Sequence, residues 1–176
     1  LLNQYYPQDT SAKSLIARDL VGVLTIQHNV TVVCGRPSYA PAEHHPYYLL
    51  RQEIANHTAV QRVGSSSFHR RTKLGRLANY LSFLFLSLVR VITIRPRPDV
   101  IITMTDPPIL ALVGAMGAIL RGSRFIYNIR DLHPDMALAA GFTLPRPVWA
   151  IWERLHGWAL LRAHLVIVLG LSLIHI

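Results

Sequence analysis

Cysteine is nearly missing from this chain: Cys34 is the only one in 176 residues, so no intramolecular disulfide framework can form. It lies in the apolar run "VTVVC", where a small hydrophobe is wanted, and the expected setting is reducing and cytoplasmic. Acidic residues are scarce as well, nine against eighteen basic ones, for a formal charge of +9. Lysine hardly contributes, since Lys13 and Lys73 are the only two. An excess carried by arginine favours anionic partners: nucleic acid, phosphorylated small molecules or an anionic membrane surface. Also missing are G-x-G-x-x-G, the Walker A pattern, C-x-x-C, H-E-x-x-H and G-x-S-x-G, which removes the common dinucleotide, P-loop, zinc and hydrolase fingerprints. The N-terminus shows no basic segment leading into an apolar run, so no signal peptide is expected. "LLNQYYP" reads as the end of a strand and the start of a loop, and a few residues are expected to precede it.

What is present is apolar: 51% of residues are hydrophobic and 15% charged, the composition of one folded domain with a full core. Short β-rich runs at residues 29–34, 100–104, 125–129 and 165–169 alternate with longer segments of helical period. That alternation predicts an α/β fold, a Rossmann-like parallel sheet with helices on both faces and strands apolar on both sides. "LLN" looks like the stub of a further strand, and "AVQRV" at residues 59–63 is a weaker candidate.

Leu15, Ile16, Leu20, Val23 and Leu24 recur at helical spacing, with Asp9, Thr10 or Ser11 as the expected N-cap. The segment from about 74 to 94 carries only a thin polar stripe of Arg76, Asn79, Ser82, Ser87 and Arg90, and is expected either to be deeply buried or to touch lipid. Arg90 interrupts its apolar run well short of the roughly 20 residues a membrane span needs. "HRRTKLGR" before it and "RPRP" after it suit a helix lying in the bilayer interface, its cationic ends on lipid phosphates. In "TDPPILALVGAMGAIL", Asp106 is the expected N-cap and Pro107 the first helical residue, while Gly114, Ala115, Gly117 and Ala118 make a small face for close packing. A last helix at residues 147–161 is expected to bury Val148, Ile151, Trp152, Leu155 and Ala159, with Trp149 pointing away. Residues 36–58 hold three prolines in "RPSYAPAEHHPYY" and no apolar period, the pattern of a long loop; His44 and His45 read as loop histidines, not metal ligands.

Ligands of open parallel sheets bind at the carboxyl ends of the strands. There this chain places "NQYYPQDTS", "CGRPSY", "TMTDPP" and "NIRDLHPD", and with them Asp9, Thr10, Ser11, Arg36, Tyr39, Thr105, Asp106, Arg130, Asp131 and His133, a set suited to a polar, anionic ligand. For Asp131 and Asp135 the alternative duty is capping the segment that follows, and for Arg36 and Arg130 it is solvation in loops.

In order, "LNQYYPQDT", "HNVTVVCGRPSY", "RLANYLSFL", "PDVIITMTDPP", "FIYNIRDLHPD" and "HLVIVLG" resemble the N-terminal half of a family 4 glycosyltransferase, over residues 2–170. The likeness points to the branch that builds bacterial surface polysaccharides, including fucosaminyltransferase-like enzymes. It implies a GT-B architecture of two Rossmann-like domains, with residues 1–170 as the acceptor-side domain and the nucleotide sugar held by a C-terminal domain absent here. The implied reaction is a retaining transfer, without a bound metal ion or other cofactor, from a nucleotide sugar to a lipid-linked (polyprenyl-diphosphate) saccharide at the cytoplasmic face of the cell membrane. Family members hold the donor with two glutamates two helical turns apart in that second domain, so the chain by itself is expected to be inactive.

"LSLIHI" at residues 171–176 departs from the family's continuation and resembles translated adapter sequence, so it is expected not to be native. Relatives place glycine where Ser11 stands and often tyrosine where His133 stands. By this resemblance Asp131 and His133 are expected at the acceptor hydroxyl or donor sugar. Asp9, Thr10, Ser11, Arg36, Thr105, Asp106 and Arg130 are expected at phosphate or substrate. Two rival classes remain open on sequence: a non-catalytic, membrane-associated anion-binding module, and nucleic-acid binding. The second is disfavoured because the arginines are scattered among loops with no interleaved aromatic stripe.

Overall fold

A computed structural model describes residues 1–7, 12–36, 48–55, 58–66, 73–131 and 145–169. They form an α/β fold in two compact units, Leu1–Ile94 and Arg95–Ile176. One unit holds a mixed sheet and the other a parallel sheet, each flanked by helices and compatible with a Rossmann-like arrangement.

The first unit contains α1 (Ala12–Leu24), β1 (Thr31–Cys34), β2 (Leu50–Ala55), β3 (Thr58–Val63) and α2 (Lys73–Thr93). Strand order is β1-β3-β2, β1 parallel to β3 and β2 antiparallel to it. The "LLN" stub lies on the free side of β1 as a parallel bridge, Leu2 opposite Val33. "AVQRV" is the middle strand of the three and largely buried. β2 falls inside the stretch read as loop; its "LRQEIA" is mostly exposed, as an edge strand can be, and so carries no apolar alternation.

Both helices of this unit turn small or polar residues towards the sheet. In α1 the buried positions are Ser14, Ala17 and Val21, while Leu15 and Val23 are exposed. Small side chains let the helix axis approach the sheet, and the bulkier apolar residues end up at the flanks. In α2 the polar stripe faces inward: Ser87 is fully buried, Arg90 Nε donates to Gln61 Oε1 of β3 (2.6 Å), and Asn79 Oδ1 and Ser82 Oγ bond Ser66. Phe83 and Val91 share that inner side, whereas Leu74, Leu77, Leu81, Phe85 and Val89 are exposed. Polar groups offered by β3 and the segment after it give Asn79, Ser82 and Arg90 their partners, while the buried Ser87 Oγ meets none among the described residues, and the greasier face is left outside.

The second unit contains β4 (Val100–Thr103), α3 (Leu110–Arg121), β5 (Arg124–Ile129), α4 (Arg146–Arg162) and β6 (Leu165–Val168), its sheet all parallel in the order β4-β5-β6. α3 buries the expected small face, Gly114, Ala115, Gly117 and Ala118. A Cβ on Gly114 would run into Thr103 Cγ2 and lie 2.5 Å from Phe125 Cε2, so only glycine lets helix and sheet meet this closely. Gly114→Ala is therefore expected to destabilise this unit by about 1–3 kcal/mol. All three tryptophans lie in α4, so their fluorescence during urea unfolding reads this unit directly; an unchanged midpoint would contradict the packing.

Three expectations need correction here. Asp106 is not the N-cap of α3: the helix starts at Leu110 after Ile109, with no side-chain cap bond, and Leu110 N donates to Pro107 O (2.8 Å) in a turn. Asp106 and Pro107 both precede a proline, which disfavours helical backbone at each and delays the start. On α4 only Ala159 is buried, and Val148, Ile151 and Leu155 are exposed. The side that meets the sheet is rotated by one residue, with His156 edge-on to Tyr127 at 5.8 Å. β6 is not covered on both faces, since Leu165, Val166 and Ile167 are all exposed.

Candidate functional site

In the first unit the carboxyl edge of the sheet is organised by a residue that sequence reasoning passed over. Arg62, on β3, is 1% exposed. Its Nε donates to Glu53 Oε1 of β2 (2.7 Å), its Nη2 to Pro7 O (2.6 Å), and its Nη1 to Gly35 O (3.3 Å) and Cys34 Sγ (3.5 Å). One planar fork thus ties the segment after the Leu2 stub to the segment after β1, a reach that suits arginine and not lysine. Gly35 N donates to Gln4 O (2.9 Å) across the same gap. A Cβ on Gly35 would lie 3.0 Å from that oxygen, so the approach calls for glycine.

Arg36 follows, with Nη2 donating to Ser65 O (2.6 Å), which fixes its guanidinium at this edge. Asp9, Thr10, Ser11 and Tyr39 lie outside the described residues. A signal for Arg62 did exist: an arginine inside a β-branched run, with one glutamate nine residues earlier on the adjoining strand.

In the second unit Thr105, Asp106, Arg130 and Asp131 stand just beyond the carboxyl ends of the parallel neighbours β4 and β5. Thr105 is buried, and its Oγ1 meets no hydrogen-bond partner among the described residues; the same holds for Thr103 Oγ1, Tyr127 Oη and Arg130 Nε. Buried polar atoms normally find partners, so this edge keeps hydrogen-bonding capacity in hand. Burial pulls the Arg130 guanidinium below its ordinary value and the adjacent Asp131 carboxylate opposes this. His133 and the rest of 132–144, including Asp135, lie outside the described residues.

Burial, and secondarily the Asp131 charge, raise the Tyr127 phenol well above its ordinary value. The sign follows from linkage: an unfolded tyrosine ionises near pH 10 and the folded one higher. Tyr127 therefore leaves stability intact below about pH 10 and withdraws it as pH climbs from there through the folded value. Tyr127→Phe removes a buried hydroxyl that meets no partner among the described residues. It is expected to raise stability by about 1 kcal/mol at neutral pH and to flatten the alkaline loss. Tryptophan-monitored urea midpoints at neutral pH and above about pH 10 check this; an equally steep alkaline fall in the variant would remove Tyr127 as its source.

A hollow of about 470 Å³ lies at the opposite, amino end of β1 and β3, lined by Thr25, Ile26, His28, Asn29, Thr31 and Ala59. It is open and shares no residue with the carboxyl-edge groups. Among the described residues no three His, Cys, Asp or Glu side chains lie close enough to hold a metal ion, and no helix is long and apolar enough to cross a membrane. No family model and no curated protein matches the chain.

Proposed function

We propose that this chain is the acceptor-side part of a retaining glycosyltransferase that moves a sugar from a nucleotide-sugar donor to a lipid-linked saccharide in surface polysaccharide synthesis. It would work peripherally at the inner face of the cell membrane. The observation that carries the reading is the grouping of Thr105, Asp106, Arg130 and Asp131 beyond the carboxyl ends of β4 and β5, on motifs that resemble that family in their order.

Sugar transfer releases a nucleoside diphosphate and passes through an oxocarbenium-like state. It needs cations near the phosphates and polar oxygens near the sugar and the attacking hydroxyl. In this reading Arg130 meets phosphate charge, and Thr105 and Asp106 orient hydroxyls. Asp131 and His133 face the acceptor. Arg62 is a positioning residue, holding the backbone at Pro7 and Gly35 from which two of the substrate-facing segments depart.

Deleting the gene from its host tests the proposal. Lipid-linked saccharide extracted from the deleted strain should be one sugar short by mass spectrometry, and the intact gene should restore it. An unchanged saccharide would sink the reading.

A further inference from the structure

We propose that the outer face of α2 is a docking surface for an anionic lipid bilayer. The proposal deepens the peripheral placement in the reading above, but rests on the helix alone and holds or fails without any transfer activity.

The inner side of α2 is accounted for: Ser87, Phe83 and Val91 are buried, Arg90 bonds Gln61, and Asn79 and Ser82 bond Ser66. Leu74, Leu77, Leu81, Phe85 and Val89 lie on the other side, Leu74 at 80% and Phe85 at 66% exposure. From Leu74 to Val89 this stripe runs about 22 Å along the axis, at 1.5 Å per residue. A continuous apolar stripe of this length on an otherwise seated helix is a contact surface, not scattered surface hydrophobes.

Charge names the occupant. Residues 54–98 contain no aspartate or glutamate and eight basic residues, Arg62, Arg70, Arg71, Lys73, Arg76, Arg90, Arg95 and Arg97. Among the described residues, Arg62 pairs with the Glu53 carboxylate, Arg90 bonds Gln61 and Arg97 donates to Gly122 O. Lys73 and Arg76 fall in the first turn of the helix, and Arg95 and Arg97 follow its end. An apolar stripe bracketed in sequence by cations suits acyl chains below anionic headgroups. It does not suit a second copy of the same face, which would bring like charges together. Nor does it suit nucleic acid, which has no use for the leucines and the phenylalanine.

Flotation of the 176-residue chain with vesicles tests this. Binding to vesicles of phosphatidylcholine and phosphatidylglycerol in equal parts is expected to exceed binding to phosphatidylcholine alone by at least about tenfold, and to weaken as salt is raised. Leu81→Gln with Phe85→Gln, which keeps good helix formers at exposed positions, should lower that affinity by about tenfold to a hundredfold. A nitroxide on Phe85→Cys gives a second readout that needs no loss of binding, because Cys34 is buried and escapes labelling. On anionic vesicles the label should gain exposure to oxygen and lose exposure to a water-soluble nickel complex. Equal binding to neutral vesicles, no vesicle binding at all, undiminished binding by the double variant, a label that stays in water, or a dimer abolished by the same substitutions would each overturn the proposal.

Discussion

Arg62→Met should cost the first unit about 3–5 kcal/mol, read as lost protection of the β1 and β3 amides in hydrogen exchange. Methionine fills much of the same volume, so little of the loss would come from a cavity. Instead the Glu53 carboxylate, 17% exposed, loses the partner it meets at 2.7 Å and keeps only the half-exposed Arg51, whose Nε lies 3.8 Å away, and Pro7 O and Gly35 O lose a donor. Removing one member of a buried pair leaves the other poorly compensated, and that penalty exceeds the net worth of the pair.

Two companions make the prediction specific. Arg62→Lys keeps the charge but not the fork, and should recover only part of the loss. Arg62→Met combined with Glu53→Leu should lose much less than the two single changes added together, because no charge is then left alone. A loss under about 1 kcal/mol for Arg62→Met would show that the carbonyl segments hold their places unaided.

Asp131→Asn, in a protein that carries both halves of the proposed enzyme, should lower the transfer rate by about 10²–10⁴-fold, with a smaller change in acceptor KM. Asparagine caps a helix or turn about as well as aspartate, so the substitution spares a purely structural duty and removes only the negative charge. That charge sits beside the Arg130 cation and close enough to Tyr127 to help hold its phenol neutral. An unchanged rate would assign Asp131 to capping and move the chemistry elsewhere on this edge.

The legible parts of the fold were those where composition alone decides. The β-branched runs of β1, β4 and β5 and the Gly114 to Ala118 face of α3 pack much as their residues dictate, whereas β6 forms where its residues place it but stays exposed. A periodic stripe, by contrast, says that a helix has two sides without saying which one meets the sheet. In α2 that choice turned on Gln61 and Ser66, which offered the polar stripe its partners. On α4 it shifted the inner side by one residue, towards His156 and Ala159. β2 was illegible because an exposed edge strand has no buried face to imprint on its sequence. The site divides the same way. Thr105, Asp106, Arg130 and Asp131 could be placed from strand ends alone, whereas the burial of Arg62 depends on acceptors supplied by Pro7, Gly35 and Glu53, distant in the chain.

The central claim is that these carboxyl-edge residues serve sugar transfer to a lipid-linked acceptor. Its most direct measurement supplies the full-length protein with radiolabelled nucleotide sugars and lipid-linked saccharide, then follows label into the organic-extractable product. The account predicts that one donor's label moves into the lipid fraction and that its anomeric configuration is retained. No transfer from any nucleotide sugar, with the protein folded and the acceptor present, would contradict it.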